Sequence, residues 1–161
     1  MIKLISVDDR LLHGQIAFFW AEYLNLDKII VINNEAANDE FTKVILGYAK
    51  PKGVHLSVIE MDNAPEMIAS EEKAEGSTLI IVGNLFDANQ LVHRFNEFKR
   101  INICGLRERP NCKVLNERTA LSSEDISIMT KLIDEGIDIT ARPSPQDKEM
   151  VLTTKVLNNL L

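Results

Sequence analysis

Apolar positions along this chain follow two periods. Short β-branched runs, the pattern of strands buried on both faces, alternate with stretches whose apolar residues recur every three to four positions, the pattern of a helix with one buried face. Residues 2–7 open the series as a short buried strand. Ile16, Phe19, Trp20, Tyr23 and Leu24 then fall at i, i+3, i+4, i+7 and i+8 and predict a helix over 14–24 with that face inward. A second strand follows at 28–32. Asn38 reads as the cap of a helix whose first turn holds the acids Asp39 and Glu40, Phe41, Val44, Ile45 and Tyr48 as its apolar stripe, and Pro51 as its stop. A third strand is predicted at 54–59, a helix at 64–73 with Pro65 in its first turn, and a fourth strand at 78–82. Next come a helix carrying Ala88, Leu91, Val92 and Phe95 and a fifth strand at 99–103. Over 104–122 the pattern weakens, with one small strand at 113–115. Ser122 or Ser123 caps a further helix with Ile126, Met129, Leu132 and Ile133 inward, which Gly136 ends. A last strand at 137–141 and a helix over 150–161, showing Val156, Leu157, Leu160 and Leu161, complete the chain.

Strands alternating with helices at this spacing predict an α/β fold: a mostly parallel open sheet of about six or seven strands with helices on both faces. No repeat, low-complexity segment or linker interrupts the pattern, so residues 1–161 read as a single domain. The net charge of −6 argues against nucleic acid as a partner, which would need a basic face. No apolar run approaches the roughly 20 residues of a membrane span, and the apolar start is cut short at Asp8 before it resembles a signal peptide. A cytoplasmic location is expected. Cys104 and Cys112 are too few for a structural zinc site and read as free thiols. No Walker or dinucleotide-binding glycine pattern is present, and no metal ligand set or cofactor is expected.

The candidate chemistry is concentrated where the first strand turns into the first helix. Asp8, Asp9, Arg10, His13, Gly14 and Gln15 lie within eight positions. In an open α/β sheet such a turn sits at the carboxyl edge, where ligands bind. The helix start adds unpaired N–H groups and the positive end of a dipole. An imidazole there can carry or receive a phosphoryl group. Arg10 supplies a bidentate grip on phosphate oxygens, although pairing with a neighbouring acid is its plain alternative. Asp9 is expected to orient the ring by accepting one N–H, with Asp8 as the other candidate for that role. Gly14 removes a side chain where a ligand would approach the backbone, and Gln15 is either an N–H donor to the phosphate or a first-turn surface residue. Gly83 and Asn84 end the fourth strand. They face His13 if that strand neighbours the first, and are otherwise a helix cap. Asn33, Asn34 and Glu35 are placed in the same way after the second strand. Phe18, Phe19, Trp20 and Tyr23 read as core, and His55 and His93 as ordinary surface positions.

The run Val7-Asp8-Asp9-Arg10-Leu11-Leu12-His13-Gly14-Gln15-Ile16, with Trp20 beyond it, closely resembles the active-site segment of the IIB component of the mannose/fructose/sorbose-type bacterial sugar phosphotransferase system. Ile32-Asn33-Asn34-Glu35-Ala36-Ala37-Asn38-Asp39 resembles that family's second-strand turn, and a looser likeness extends to Leu132–Ile137 and Pro143. The chain departs from the family at Ile101-Asn102-Ile103-Cys104-Gly105, where relatives usually carry a turn with two glycines. The resemblance implies a phosphoryl relay. His13 would accept a phosphoryl group from a phosphohistidine of a separate IIA phosphocarrier and pass it to a sugar held by the IIC and IID membrane components. Arg10 would be the phosphate-binding arginine, and the domain would work at the inner face of the membrane permease. A homo-oligomer is left open. A relay intermediate also implies an accessible His13 on a shallow, locally positive patch.

A different class remains in view. Paired acids after the first strand also suit a receiver-type signalling domain that binds Mg²⁺ through Asp8 and Asp9 and is phosphorylated on an acid ending the third strand, where Glu60 and Asp62 stand. That reading leaves His13 without a task. A non-enzymatic ligand-binding module is the third reading.

Overall fold

The computed structural model describes residues 1–161. The elements run β1 (Ile2–Asp8), α1 (Gly14–Leu24), β2 (Lys28–Ile32), α2 (Asn34–Ala37), α3 (Glu40–Ala49), β3 (His55–Ile59), α4 (Ala64–Lys73), β4 (Thr78–Val82), α5 (Leu85–Arg94), β5 (Arg100–Gly105), β6 (Lys113–Asn116), β7 (Thr119–Leu121), α6 (Ser123–Asp134), β8 (Asp138–Ala141), β9 (Met150–Leu152) and α7 (Thr154–Asn158). Seven strands form one sheet in the order β3-β2-β4-β1-β5-β8-β9, parallel except for β9, and β6 pairs with β7 in a separate antiparallel hairpin. The α/β reading with a mostly parallel sheet therefore holds.

The strand runs explain the layering. Alternate residues of one strand point to opposite faces. Ile5 and Val7, Ile30 and Ile32, Ile80 and Val82, and Ile101 and Ile103 join one buried cluster under α4, α5, α6 and α7. Ile29 and Val31 with Leu79 and Ile81 join a second cluster under α1 and α3. Strands apolar on both sides can only persist with both sides covered.

Chain direction across the sheet positions the site. From β1 the chain moves through α1 to β2 on one side, and it later returns across β1 to β5 on the other. β1 is therefore a switch point, and a crevice opens at its carboxyl end. The register between β1 and β5 shifts between Val7 and Asp8 at that end, with Asp8 set against Gly105.

Four differences from the sequence pattern have physical causes. The inward face of α1 is Ala17, Trp20 and Ala21, while Phe18 and Tyr23 are exposed. Small alanines let the helix lie close on the sheet, so the larger side chains flank the contact rather than fill it. In α3 the stripe Phe41, Val44, Ile45 and Tyr48 points to solvent, and the one buried residue is Leu46. Asp39, not Asn38, caps that helix, and Asn33 caps the short α2 before it. Residues 150–152 form an edge strand before the last helix, which starts after a Thr153 cap. Ser122 with Asp125 closes a full capping box on α6.

Candidate active site

The turn between β1 and α1 is braced by Asp8. Its carboxylate is buried, with Oδ1 accepting the Arg10 backbone N–H at 2.9 Å and Oδ2 2.8 Å from His13 Nε2. The Leu11 N–H also returns to the Asp8 carbonyl at 2.9 Å. The chain then passes through two left-handed residues, Leu11 (φ 61) and Gly14 (φ 47). A non-glycine residue in that region is costly and is held only where the surroundings determine it. Here Leu11 is half-buried against the α1–α3 cluster. Gly14 supplies its positive φ without strain, and a Cβ there would meet nothing within 4 Å. Conformation, not a close approach, is what asks for glycine at 14.

His13 is the N-cap residue of α1, but its side chain caps nothing, and no acid stands in the first turn. The first amides of α1 thus remain without a side-chain acceptor, at the positive end of the helix dipole. The ring is one quarter exposed. It is neither sealed in the core nor free in solvent.

The residues do not divide their roles as the sequence suggested. Asp8 is the acid on the imidazole. Asp9 turns away and binds Arg107, accepting its backbone N–H at 2.9 Å and its Nε–H at 3.2 Å. The correction follows from strand geometry. Asp8 ends β1 and points into the crevice, whereas Asp9 lies beyond the strand and meets the segment after β5.

A cleft of about 510 Å³ opens beside the ring. Asp8, Asp9, Arg10 and His13 form one wall, and Arg107, Asn116, Arg118 and Thr119 line the other. The second wall is the β6–β7 hairpin, tied to the end of β5 by Leu106 N–H to the Arg118 carbonyl (3.0 Å) and Ala120 N–H to the Leu106 carbonyl (2.8 Å). A Cβ at Gly105 would lie 3.4 Å from the Arg118 carbonyl oxygen, an ordinary contact, so the approach does not depend on the glycine. Arg109 anchors the loop through Asp125 at 2.8 Å. Partial burial opposes its charge, but the Asp125 carboxylate outweighs this and raises its pKa. The Thr119 hydroxyl is buried without a hydrogen-bond partner, which is unusual for a polar atom.

The cleft is mixed in charge rather than positive. Three arginines face four carboxylates, Asp8, Asp9, Glu108 and Glu117. Pairing decides what is left over: Asp9 holds Arg107, while Arg10 and Arg118 form no ion pair. Arg10 is exposed on the rim, consistent with its sequence placement beside His13.

The other sequence candidates lie elsewhere. β4 is the neighbour of β1, as the argument for Gly83 and Asn84 required. The cleft, however, opens on the β5 side of β1, and neither residue lines it. Asn84 caps α5 by accepting the Asp87 N–H at 2.8 Å, and Gly83 lies against Asn33 and Leu11. Gln15 is exposed outside the cleft lining. Asn33 accepts the Ala36 N–H and Asn34 the Met61 N–H, so that turn is structural.

Beneath the site, Cys104 is buried against Ser6, with Sγ 2.9 Å from Oγ, and accepts from Asn102 Nδ2 at 3.3 Å. Burial, the dominant cause, pushes its thiol up to about 12 despite the Ser6 hydrogen bond. It is a neutral packing group. Arg107, Asn116, Arg118 and Thr119 were not found from sequence. A run of arginines in the poorly patterned stretch 104–122 was the only available signal.

The receiver-type reading fails on topology. β3 is the far edge strand, separated from β1 by β2 and β4, so an acid at its end cannot join Asp8 and Asp9. No group of three or more His, Cys, Asp or Glu side chains is placed to hold a metal ion.

Comparison with known proteins agrees with this geometry. The profile of the PTS system sorbose subfamily IIB component matches residues 2–159. The chain is 26% identical to the sorbose-specific EIIB component of Klebsiella pneumoniae over 155 residues, covering 96% of this chain and 94% of that one. It is 28% identical to the mannose-specific EIIAB component of Escherichia coli K12 over 159 residues, covering 97% of this chain but 49% of that longer protein. The crystal structure of the IIBSor domain of the Klebsiella pneumoniae sorbose permease superposes with a TM-score of 0.90 at 25% identity, covering 100% of this chain and 98% of that one.

Proposed function

The chain belongs to the family of PTS system sorbose subfamily IIB components, and from that membership we propose that it carries a phosphoryl group on Nδ1 of His13, between a IIA phosphohistidine and a sugar. It is a phosphotransferase of a sugar phosphotransferase system, and membership implies IIA and IIC/IID partners. The proposed class is protein-N(pi)-phosphohistidine–sugar phosphotransferase.

One observation carries the reading. Nε2 of His13 faces buried Asp8 at 2.8 Å, which holds the proton on Nε2 and leaves the lone pair on Nδ1. In the proposed step that lone pair attacks phosphorus in line. The Nδ1–P bond forms as the donor N–P bond breaks. The ring, now bonded at Nδ1 and protonated at Nε2, is cationic, and the Asp8 carboxylate stabilises it. Arg10 and the first amides of α1 bear the charge on the phosphoryl oxygens. In the second step a sugar hydroxyl attacks phosphorus, the N–P electrons return to Nδ1, and the ring becomes neutral again. The hydroxyl proton goes to a base on the sugar-bearing side.

An exposed rim and an open cleft suit a histidine that two partners meet in turn. We place the protein in the cytoplasm, visiting the IIC/IID components at the membrane. No helix is long and apolar enough to cross a membrane. The donor IIA domain lies outside these 161 residues, and the proposed contacts to the incoming donor on the far wall of the cleft are Arg107 and Arg118.

The test is to phosphorylate the chain through a reconstituted relay and locate the phosphate by mass spectrometry, with the ring nitrogen assigned by NMR. The expected product is Nδ1-phosphohistidine at His13, acid-labile, with no incorporation into His13→Ala of unchanged circular dichroism. Phosphate on another residue, or uptake by His13→Ala, would refute the assignment.

A further inference from the structure

We propose that Asp9 is a positioning residue for the phosphoryl transfer and acts through Arg107. It fixes the guanidinium by its inner edge and leaves the outer fork open to the phosphoryl group in transit to His13. The inference rests on the relay reading above and adds to it the residue that holds an arginine of the far wall.

The two adjacent acids bond differently. Asp8 uses both carboxylate oxygens, one for the Arg10 N–H and one for His13. Asp9 uses one. Its Oδ2 accepts both the Arg107 backbone N–H at 2.9 Å and the Arg107 Nε–H at 3.2 Å, and no protein donor meets Oδ1. An ordinary surface ion pair leaves its arginine free among rotamers and contributes little. Here two donors of one residue meet on one oxygen. That curls the arginine over its own backbone and sets its torsions, although the side chain is 62% exposed. Only the inner nitrogen is used. The Nη1 and Nη2 groups meet no acceptor in the chain, and they are a pair that grips a phosphoryl group in bidentate fashion.

Asp9 is itself fixed. Its side chain is 23% exposed, and its backbone N–H donates to the Gly105 carbonyl at 3.0 Å. Gly105 also stands against Asp8 in the β1–β5 register, and Asp8 holds the His13 ring. Arg107 follows Gly105 by two positions. The imidazole and the guanidinium are thus held from one point of the sheet, through Asp8 and through Asp9, and both line the same cleft. An arriving phosphoryl group brings negative charge to a cleft where four carboxylates already stand. Asp9 offsets part of the charge of Arg107, so what it adds is geometry. The fork is set before the phosphoryl group arrives, and no side chain has to be ordered during transfer.

Rapid-quench phosphoryl uptake from a phosphorylated IIA domain, at saturating donor, tests this as a double-mutant cycle. Asp9→Ala and Arg107→Ala should each slow uptake by about tenfold, and the double variant should match Arg107→Ala within about twofold. Asp9→Asn keeps one oxygen, which is all that the two donors use, and should restore most of the rate that Asp9→Ala loses. Circular dichroism and the His13 tautomer should be unchanged throughout. Losses that add in the double variant would give Asp9 a task apart from Arg107 and overturn the proposal. So would uptake by Asp9→Ala at the wild-type rate, or faster, which would make Asp9 a competitor for the guanidinium. Equal losses in Asp9→Asn and Asp9→Ala would assign the effect to charge instead of position and overturn it as well. Each of these results leaves His13 as the residue phosphorylated. Failure of the relay reading would show instead as phosphate on another residue of the unaltered chain.

Discussion

Replacing Asp8 with Asn separates the two adjacent acids that the sequence could not. The Asp8 Oδ1 accepts the Arg10 N–H at 2.9 Å, and Oδ2 faces His13 Nε2 at 2.8 Å. An asparagine has one oxygen for two donors. If the oxygen stays on Arg10, the amide NH₂ faces Nε2, and Nε2 must accept. The ring proton then moves to Nδ1 and removes the nucleophilic lone pair. If the amide flips, NH₂ opposes the Arg10 N–H and the turn loosens. Loss of a charge-assisted hydrogen bond alone is worth about 1.5–3 kcal/mol, roughly 10–150-fold in rate. With the wrong tautomer imposed, the loss extends toward the roughly 10⁴-fold that the same exchange causes beside a serine-protease histidine. Phosphoryl uptake from a phosphorylated IIA domain, followed by rapid quench, should therefore fall by about 10²–10⁴-fold. Nitrogen NMR of the ring should show the tautomer reversed. Asp9→Asn is the control. Asp9 binds Arg107 and not the ring, so its change should leave the tautomer as it was. Wild-type transfer by Asp8→Asn, or a larger effect from Asp9→Asn, would refute the reasoning.

Arg10→Lys keeps the charge but loses the planar fork, so transfer should slow by about tenfold or more while the thermal midpoint stays put, because the side chain is exposed and unpaired; equal rates would remove Arg10 from the site. Cys104, buried with its thiol raised to about 12, should resist iodoacetamide at pH 8 in the native protein, while half-buried Cys112 is modified, as peptide mass mapping would show. Burial alone would raise the Glu71 carboxyl, but Lys28 and Thr78 outweigh it and hold it below its ordinary 4.5. A depressed folded value stabilises above the unfolded pKa and loses that stability as pH falls. Resistance to denaturant should thus fall as pH drops below about 4.5. Glu71→Gln should lack that part of the acid dependence, and an identical pH profile would count against the pairing.

Much of this protein is legible in local order. β-branched runs at 28–32 and 78–82 are strands wherever they are placed, because their side chains pack on a pleat and not in a helix. Proline and glycine at 51 and 136 stop helices by their own backbone limits. The cluster from Asp8 to Gln15 announced the site because strand-to-helix turns of a parallel sheet all lie at one edge. Its likeness to the IIB segment added what no spacing can, the identity of the relay.

What local order left undecided depends on neighbours distant in sequence. Which acid reaches the imidazole is set by where β1 ends against Gly105, nearly a hundred positions away. Gly83 and Asn84 were placed beside the correct strand but on the wrong side of it, since the cleft opens toward β5 and only strand order shows that. Arg118 and Thr119 belong to a hairpin of three- and four-residue strands, and Arg107 to the loop that leads into it, all too short for any period to register. The stripe of α3 misled for a related reason. A period of 3.6 shows that a helix has an apolar face, but not which side of the molecule that face meets. Leu46 with the sheet decides that, and it leaves Phe41, Val44, Ile45 and Tyr48 outward. Sequence alone determines the elements and the chemistry available at one turn, because both follow from covalent neighbours. Partnership between side chains follows from strand order and register, and only the folded sheet contains those.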